Sequence, residues 1–200
     1  MSLLELSKDV YPEVYHASAA CMPFADNSFD FVVSCDVVGH LPSNIKDAFF
    51  KEMFRVLKPG GRAVHVIETE STNWWYGFAH QYPELFQKHF VDRPGHISME
   101  LASELRERFF KAGFKEIVLK KMNGGLPEFG IFSCLFNNEF KTKNRWIAFL
   151  ADLDGLICKN LVVREFTHLL ITPFAAIYDH FASINDGSCA LTIHEKPPAN

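Results

Sequence analysis

The sequence predicts an α/β fold built on an open sheet, and three observations predict it. Phe29-Asp30-Phe31-Val32-Val33-Ser34-Cys35 is a near-continuous apolar run of strand length, the pattern of a parallel strand buried on both faces. Ala63-Val64-His65-Val66-Ile67, within Arg62 to Thr69, repeats that pattern. Between the two, Ile45, Ala48, Phe49, Met53, Phe54, Val56 and Leu57 recur at helical spacing. Strand, helix and strand with short breaks make a βαβ unit, which crosses over right-handed.

The remaining elements follow in chain order. Val14 to Ala17 reads as a short strand, and Met22 to Ser28 as a turn rich in residues that break regular structure. Leu41-Pro42-Ser43-Asn44 opens the central helix and Lys58-Pro59-Gly60-Gly61 stops it. Glu70 to Gly95 has no regular period and carries the aromatic cluster Trp74-Trp75-Tyr76-Gly77-Phe78. A helix is expected over 98–112, with Ser98 as its N-cap and Gly113 as its stop, and a strand over 115–121. Helical segments are expected at 143–150, 161–170 and 173–182, a turn at 184–187 and a last strand at 188–195. The expected organisation is one domain, with a core at 14–121, a helical insertion or cap at 122–186 and a final strand at 187–196.

Composition narrows the class. Two hundred residues suffice for one domain with a sizeable core. A net charge of -4 and the absence of any basic run argue against a nucleic-acid groove. Cys21, Cys35, Cys134, Cys158 and Cys189 are odd in number and lack CxxC spacing, which signals neither a disulfide framework nor a zinc site. Reduced thiols in a cytoplasmic protein are the expectation. No apolar run approaches the roughly 18 residues of a membrane span, so none is expected. The 20 phenylalanines exceed the demand of a small core, and some are expected to line a pocket or an interface.

Three segments in fixed order resemble class I S-adenosylmethionine (SAM) methyltransferases of the ubiquinone and small-molecule group. Ala19-Ala20-Cys21-Met22-Pro23-Phe24-Ala25-Asp26-Asn27-Ser28-Phe29-Asp30 resembles that group's A-x-x-L-P-F-x-D-x-S-F-D stretch. Cys35-Asp36-Val37-Val38-Gly39-His40-Leu41 resembles the segment after its fourth strand, and Arg55-Val56-Leu57-Lys58-Pro59-Gly60-Gly61 the turn before its fifth. Ala112-Gly113-Phe114 resembles the A-G-F before its sixth strand, and Leu191-Thr192-Ile193 followed by Lys196-Pro197 resembles its closing seventh strand. The resemblance implies a Rossmann-like class I methyltransferase sheet lacking its first strand, with a helical insertion before the last strand. The family's glycine-rich cofactor turn has no counterpart, because no glycine precedes Gly39. The chain therefore reads as N-terminally truncated, with strand edges left free for a homo-oligomer.

The resemblance also implies site residues, with SAM as cofactor and a small molecule as methyl acceptor. Glu5 is the candidate ligand of the ribose hydroxyls. Ser18 stands where the family often has an acidic residue beside the adenine. Ser18, Ala19, Cys35, Asp36 and Val37 lie at two strand ends and are expected to border the cofactor crevice. SAM carries an activated methyl group, so the role to look for is a base near the acceptor. His40 and Glu68 are the candidates, with loop support as the other role open to His40 and a solvated loop as the other reading of nearby Glu70. Trp74, Trp75, Tyr76, His80 and His96 are expected at the acceptor site, under an aromatic cap suited to a hydrophobic or aromatic molecule. Packing of the insertion onto the sheet is the other reading of those rings. The histidine spacing carries no metal motif, so no metal is expected. The alternative function is a non-catalytic binding or scaffold protein that keeps the fold.

Overall fold

The computed structural model describes residues 7, 10–122, 124 and 131–199. Strand β1 (Phe29–Cys35) leads through a 3₁₀ turn (Val38–His40) to helix α1 (Ser43–Val56) and strand β2 (Leu57–Glu68). Two short helices follow, α2 (Trp74–Ala79) and α3 (Pro83–Phe86), and then a π-helical turn (Gln87–Asp92). Helix α4 (Ala102–Lys111) and strand β3 (Lys115–Met122) precede four helices, α5 (Ile131–Leu135), α6 (Asn138–Lys141), α7 (Arg145–Cys158) and α8 (Leu161–Phe181). A 3₁₀ turn (Ile184–Asp186) and strand β4 (Cys189–Glu195) close the chain.

The strands form one open sheet in the order β1-β2-β4-β3. β1 and β2 are parallel, as the expected crossover requires, whereas β4 runs antiparallel to both of its neighbours. Arg62 to Glu68 of β2 pairs residue by residue with Glu195 to Cys189. The pairing of β1 with β2 jumps from Phe29↔Leu57 to Phe31↔Arg62, so Lys58-Pro59-Gly60-Gly61 bulges out of the ladder. Gly60 sits at φ +81°, and a Cβ on Gly61 would lie 2.8 Å from the Lys58 carbonyl and 3.1 Å from that of Asp30. The two glycines are therefore demanded by backbone conformation and by close approach.

Helices α1 and α4 cover one face of this sheet. Phe49, Phe50 and Met53 of α1 and Leu105 and Phe109 of α4 pack with Leu57, Ala63 and Ile67 of β2. A second core lies outside it. There Trp75, Tyr76, Phe86 and Phe90 pack against Phe132, Phe136, Phe140 and Ile147 from the helices that follow β3. Phe132, Phe136 and Phe140 thus follow the packing reading of those rings, whereas Phe149, Phe166, Phe174 and Phe181 of the same region are exposed.

Several expectations are corrected. Val14 to Ala17 is not a strand; its neighbours Ser18 and Cys21 form only an isolated bridge. β1 is not buried on both faces, since Phe31 is 61% and Val33 72% exposed. Among the described residues no strand pairs with its outer edge. The region 70–95 is helical rather than irregular: its turns are too short for periodicity to register. Helix α4 starts at Ala102 and not at Ser98, because the Glu104 carboxylate accepts from the Leu101 N–H at 2.8 Å and closes the first turn there. The segments expected at 161–170 and 173–182 are a single helix through Pro173. That helix, Leu161–Phe181, is long and apolar enough by length and composition to cross a membrane, which corrects the expectation that no segment reaches that length.

Candidate functional site

Parallel pairing sends the carboxyl ends of β1 and β2 to the same edge of the sheet, where ligands of open α/β sheets bind. At the end of β1, Asp36 adopts φ +52° and donates its N–H to the Val66 carbonyl at 3.0 Å, which turns the chain into the 3₁₀ turn carrying His40. Glu68 is the last residue of β2. His96 arrives from the turn that follows Asp92 and is buried.

These three side chains converge. The ligating atoms of His40, Glu68 and His96 lie within 4.8 Å of one another. Both imidazoles are fixed from behind by backbone carbonyls, which can only accept: His40 Nδ1 donates to Gly95 O at 2.8 Å, and His96 Nδ1 donates to Phe90 O at 3.0 Å. Both Nε2 atoms are thereby left to the site. His96 Nε2 makes a short hydrogen bond to Glu68 Oε2. That bond holds the imidazole of His96 above the usual histidine range and the Glu68 carboxyl below the usual carboxylate range.

Local packing explains how His96 comes so close. A Cβ on Gly39 would lie 3.3 Å from His96 Cδ2, so only glycine leaves ordinary room at that position. The Gly39 carbonyl accepts from the N–H groups of both Ile97 and Ser98, at 2.9 and 3.1 Å. Farther along, the buried Lys46 ammonium donates to Ser98 O at 2.5 Å and lies 3.5 Å from Glu100. The turn carrying His96 is thus tied to the end of β1 and to α1.

The other sequence-predicted residues divide. His80 is exposed, pairs with Glu70 at 3.0 Å and stacks on Phe86. Trp75 and Tyr76 are buried in the second core, where the Trp75 indole donates to Gly124 O at 3.3 Å. Burial pushes the Tyr76 phenol well above its ordinary range, with the Glu70 and Glu68 carboxylates adding to the effect. Trp74 is 45% exposed against Phe132. Only Trp74 and His80 of this group offer much surface, so the aromatic cluster packs the wall more than it covers the site. Spacing along the chain shows no metal motif, yet the fold assembles three donor atoms from three separate segments. No sequence signal short of the fold joins them.

The cofactor candidates are less enclosed. Glu5 lies outside the described residues. Ser18 folds into a turn in which its Oγ accepts from the Ala20 N–H at 3.2 Å. Ala19 and Met22 pack on the same core as Val38, so this turn and the segment after β1 share one side of the edge. Cys35 and Asp36 are exposed there, with the thiol donating to Asp36 Oδ2 at 3.4 Å, and Val37 is half-buried. The carboxylate pushes the Cys35 thiol up from its usual range.

Arg55 organises this corner. Its guanidinium donates to the carbonyls of Phe24 and Met22 at 2.7 and 3.1 Å, to Asp26 at 2.7 Å, and to both oxygens of Glu52 at 2.9 and 2.8 Å. Glu52 in turn accepts from the Met22 N–H at 2.9 Å, and Arg55 pulls its carboxyl down to about 2.

A βαβ unit whose strand ends carry a polar cluster beside an aromatic core is the architecture of a Rossmann-like ligand-binding domain. Residues 2–65 match the family model described as a methyltransferase domain. A demethylmenaquinone methyltransferase of Oceanobacillus iheyensis is 29% identical over 135 residues, which is 57% of this chain and 52% of that protein. A sterol 24-C-methyltransferase of Pneumocystis carinii is 26% identical over 179 residues, 84% of this chain and 41% of that protein. The chain spans about half the length of the curated relatives it matches. In fold it is similar to a SAM-dependent methyltransferase of Thermotoga maritima described as a possible histamine N-methyltransferase, with a TM-score of 0.52 at 15% identity over 97% of this chain and 69% of that one. Over these stretches the chain is similar to class I SAM-dependent methyltransferases.

SAM is the cofactor of that family. The described residues that could border it are the exposed backbone at Cys35 to Val37, with left-handed Asp36, and the turn from Ser18 to Cys21.

Proposed function

We propose that this chain contributes the acceptor side of a SAM-dependent methyltransferase whose acceptor is an apolar small molecule bearing an oxygen, of the quinol or sterol class. The observation that carries the reading is the convergence of His40, Glu68 and His96 at the carboxyl ends of β1 and β2. The demethylmenaquinone and sterol methyltransferases among its relatives support the substrate class.

When bound, SAM supplies an activated methyl group, so the protein's part is to aim the acceptor and manage its proton. His40 and Glu68 meet the acceptor's oxygen, and His96 orients Glu68 through their short hydrogen bond. The second core, with Tyr76 and Phe90, forms the apolar wall behind them and keeps water away from the polar cluster. In this reading 122–186 is the cap over the acceptor, and the unpaired edge of β1 is the edge through which two copies associate. The five free cysteines fit a cytoplasmic setting.

The test is transfer of label from methyl-labelled SAM to a demethylated prenyl quinol, a sterol and histamine, each assayed separately. Label on the quinol or the sterol supports the reading. Label on histamine alone, or on none of the three, overturns it.

A further inference from the structure

His40, Glu68 and His96 carry a feature that an acid–base pair alone does not require. Two imidazoles on unrelated segments are both anchored through Nδ1–H to a backbone carbonyl, and a ligand atom of each lies within 4.8 Å of the other and of a Glu68 oxygen. Anchoring the distal nitrogen fixes the tautomer and ring orientation, and it is how proteins prepare histidine as a metal ligand. Two neutral imidazoles and a carboxylate are a donor set suited to zinc and other first-row divalent ions. Among the described residues Glu68 is ion-paired with His96, and the charge of His40 also acts on it.

From this geometry we propose that His40 Nε2, Glu68 and His96 Nε2 form a three-ligand site for a divalent transition-metal ion, zinc by preference. Entry of the ion displaces the proton shared by Glu68 and His96 to solvent and replaces one hydrogen bond by three coordinate bonds. Three protein ligands leave a coordination position open. That position takes an oxygen of the acceptor, which rests on the methyltransferase reading above, whereas metal binding itself does not. Gly39 belongs to the site as the residue that lets His96 approach.

The experiment is calorimetric titration of the whole chain with zinc chloride, paired with visible absorption on cobalt(II) substitution. Stoichiometric zinc binding and the d–d bands of tetrahedral cobalt are expected, and both are lost in His40→Ala and in Glu68→Gln. The partly exposed His40 and Glu68 are chosen because buried His96→Ala risks the fold, and circular dichroism checks each variant. Binding that survives both substitutions assigns the ion to the cysteines or the surface and overturns the proposal, as does no binding at all. Methyl transfer is assayed in parallel with and without a chelator. Transfer without any metal binding sinks the metal site and spares the methyltransferase reading. Metal binding without transfer to any acceptor does the reverse.

Discussion

Gly39 and His96 are in contact across 57 residues of sequence, the Cδ2 edge of the imidazole lying where a side chain on residue 39 would begin. The 3.3 Å left for a Cβ is tighter than ordinary van der Waals contact, so any substitution moves the ring. Gly39→Ala is expected to lower methyl transfer by about ten- to hundredfold, the scale of a displacement of an ångström or less at a reacting centre. Far-ultraviolet circular dichroism should be unchanged. Wild-type rates in Gly39→Ala would show that the placement of His96 does not matter to the reaction.

Arg55 joins two sequence motifs that look independent on paper. It lies in the Arg55-Val56-Leu57-Lys58-Pro59-Gly60-Gly61 turn and holds the Met22-Pro23-Phe24 segment by two carbonyls. Arg55→Ala removes the guanidinium donor from those carbonyls, Asp26 and Glu52, and loosens the segment they belong to. Hydrogen exchange should quicken at Met22 to Ser28 while α4 stays protected. Uniform quickening over the whole chain would contradict a local clamp.

Phe136 is fully buried, with Phe132, Phe140 and Phe90 centred 4.4, 5.1 and 5.6 Å away. Phe136→Ala should cost about 3–5 kcal/mol, the usual range for a buried aromatic. The loss should appear first as altered fluorescence of Trp75, which packs on Phe136, in urea unfolding. A midpoint shift smaller than that of an exposed control such as Phe110→Ala would sink the second core as a source of stability.

Two buried histidines set the acid limit of stability. His65 and His194 are depressed to about 4, each chiefly by burial. His194 stacks on Phe109 at 3.8 Å, and His65 bonds Ser34 at 2.6 Å. In the unfolded chain each returns to its ordinary value of about 6.5, so the unfolded state binds the extra protons. The stabilisation is complete above that value and is lost as pH falls from it towards about 4, by roughly 3 kcal/mol per histidine at most. Chemical unfolding followed between pH 7.5 and 4.5 should show it, and His194→Phe should flatten the slope. An equal slope in the variant would refute the assignment.

The elements that local pattern specifies were legible before the fold was known. β1, α1, β3 and β4 appear close to their expected bounds, because each has either an apolar run or a clear 3.6-residue period, whereas β2 already begins at Leu57 and α4 only at Ala102. The misreadings arise where tertiary contacts override local signals. Pro173 removes one helical donor, yet α8 continues through it as one helix. Ser98 has the composition of an N-cap, but its hydroxyl donates to Leu41 O at 2.8 Å instead.

The sequence by itself determined the βαβ unit, the family it resembles, and Glu68 and His40 as strand-end candidates, since these follow from short stretches read alone. Only the tertiary structure decided that His96 meets Glu68, that Gly39 makes room for it, and that Trp75 and Tyr76 are packing rather than surface. Those relations join segments 28 and 57 residues apart, and a contact at that separation depends on how the sheet pairs and how the turns close. No periodicity in the sequence encodes it.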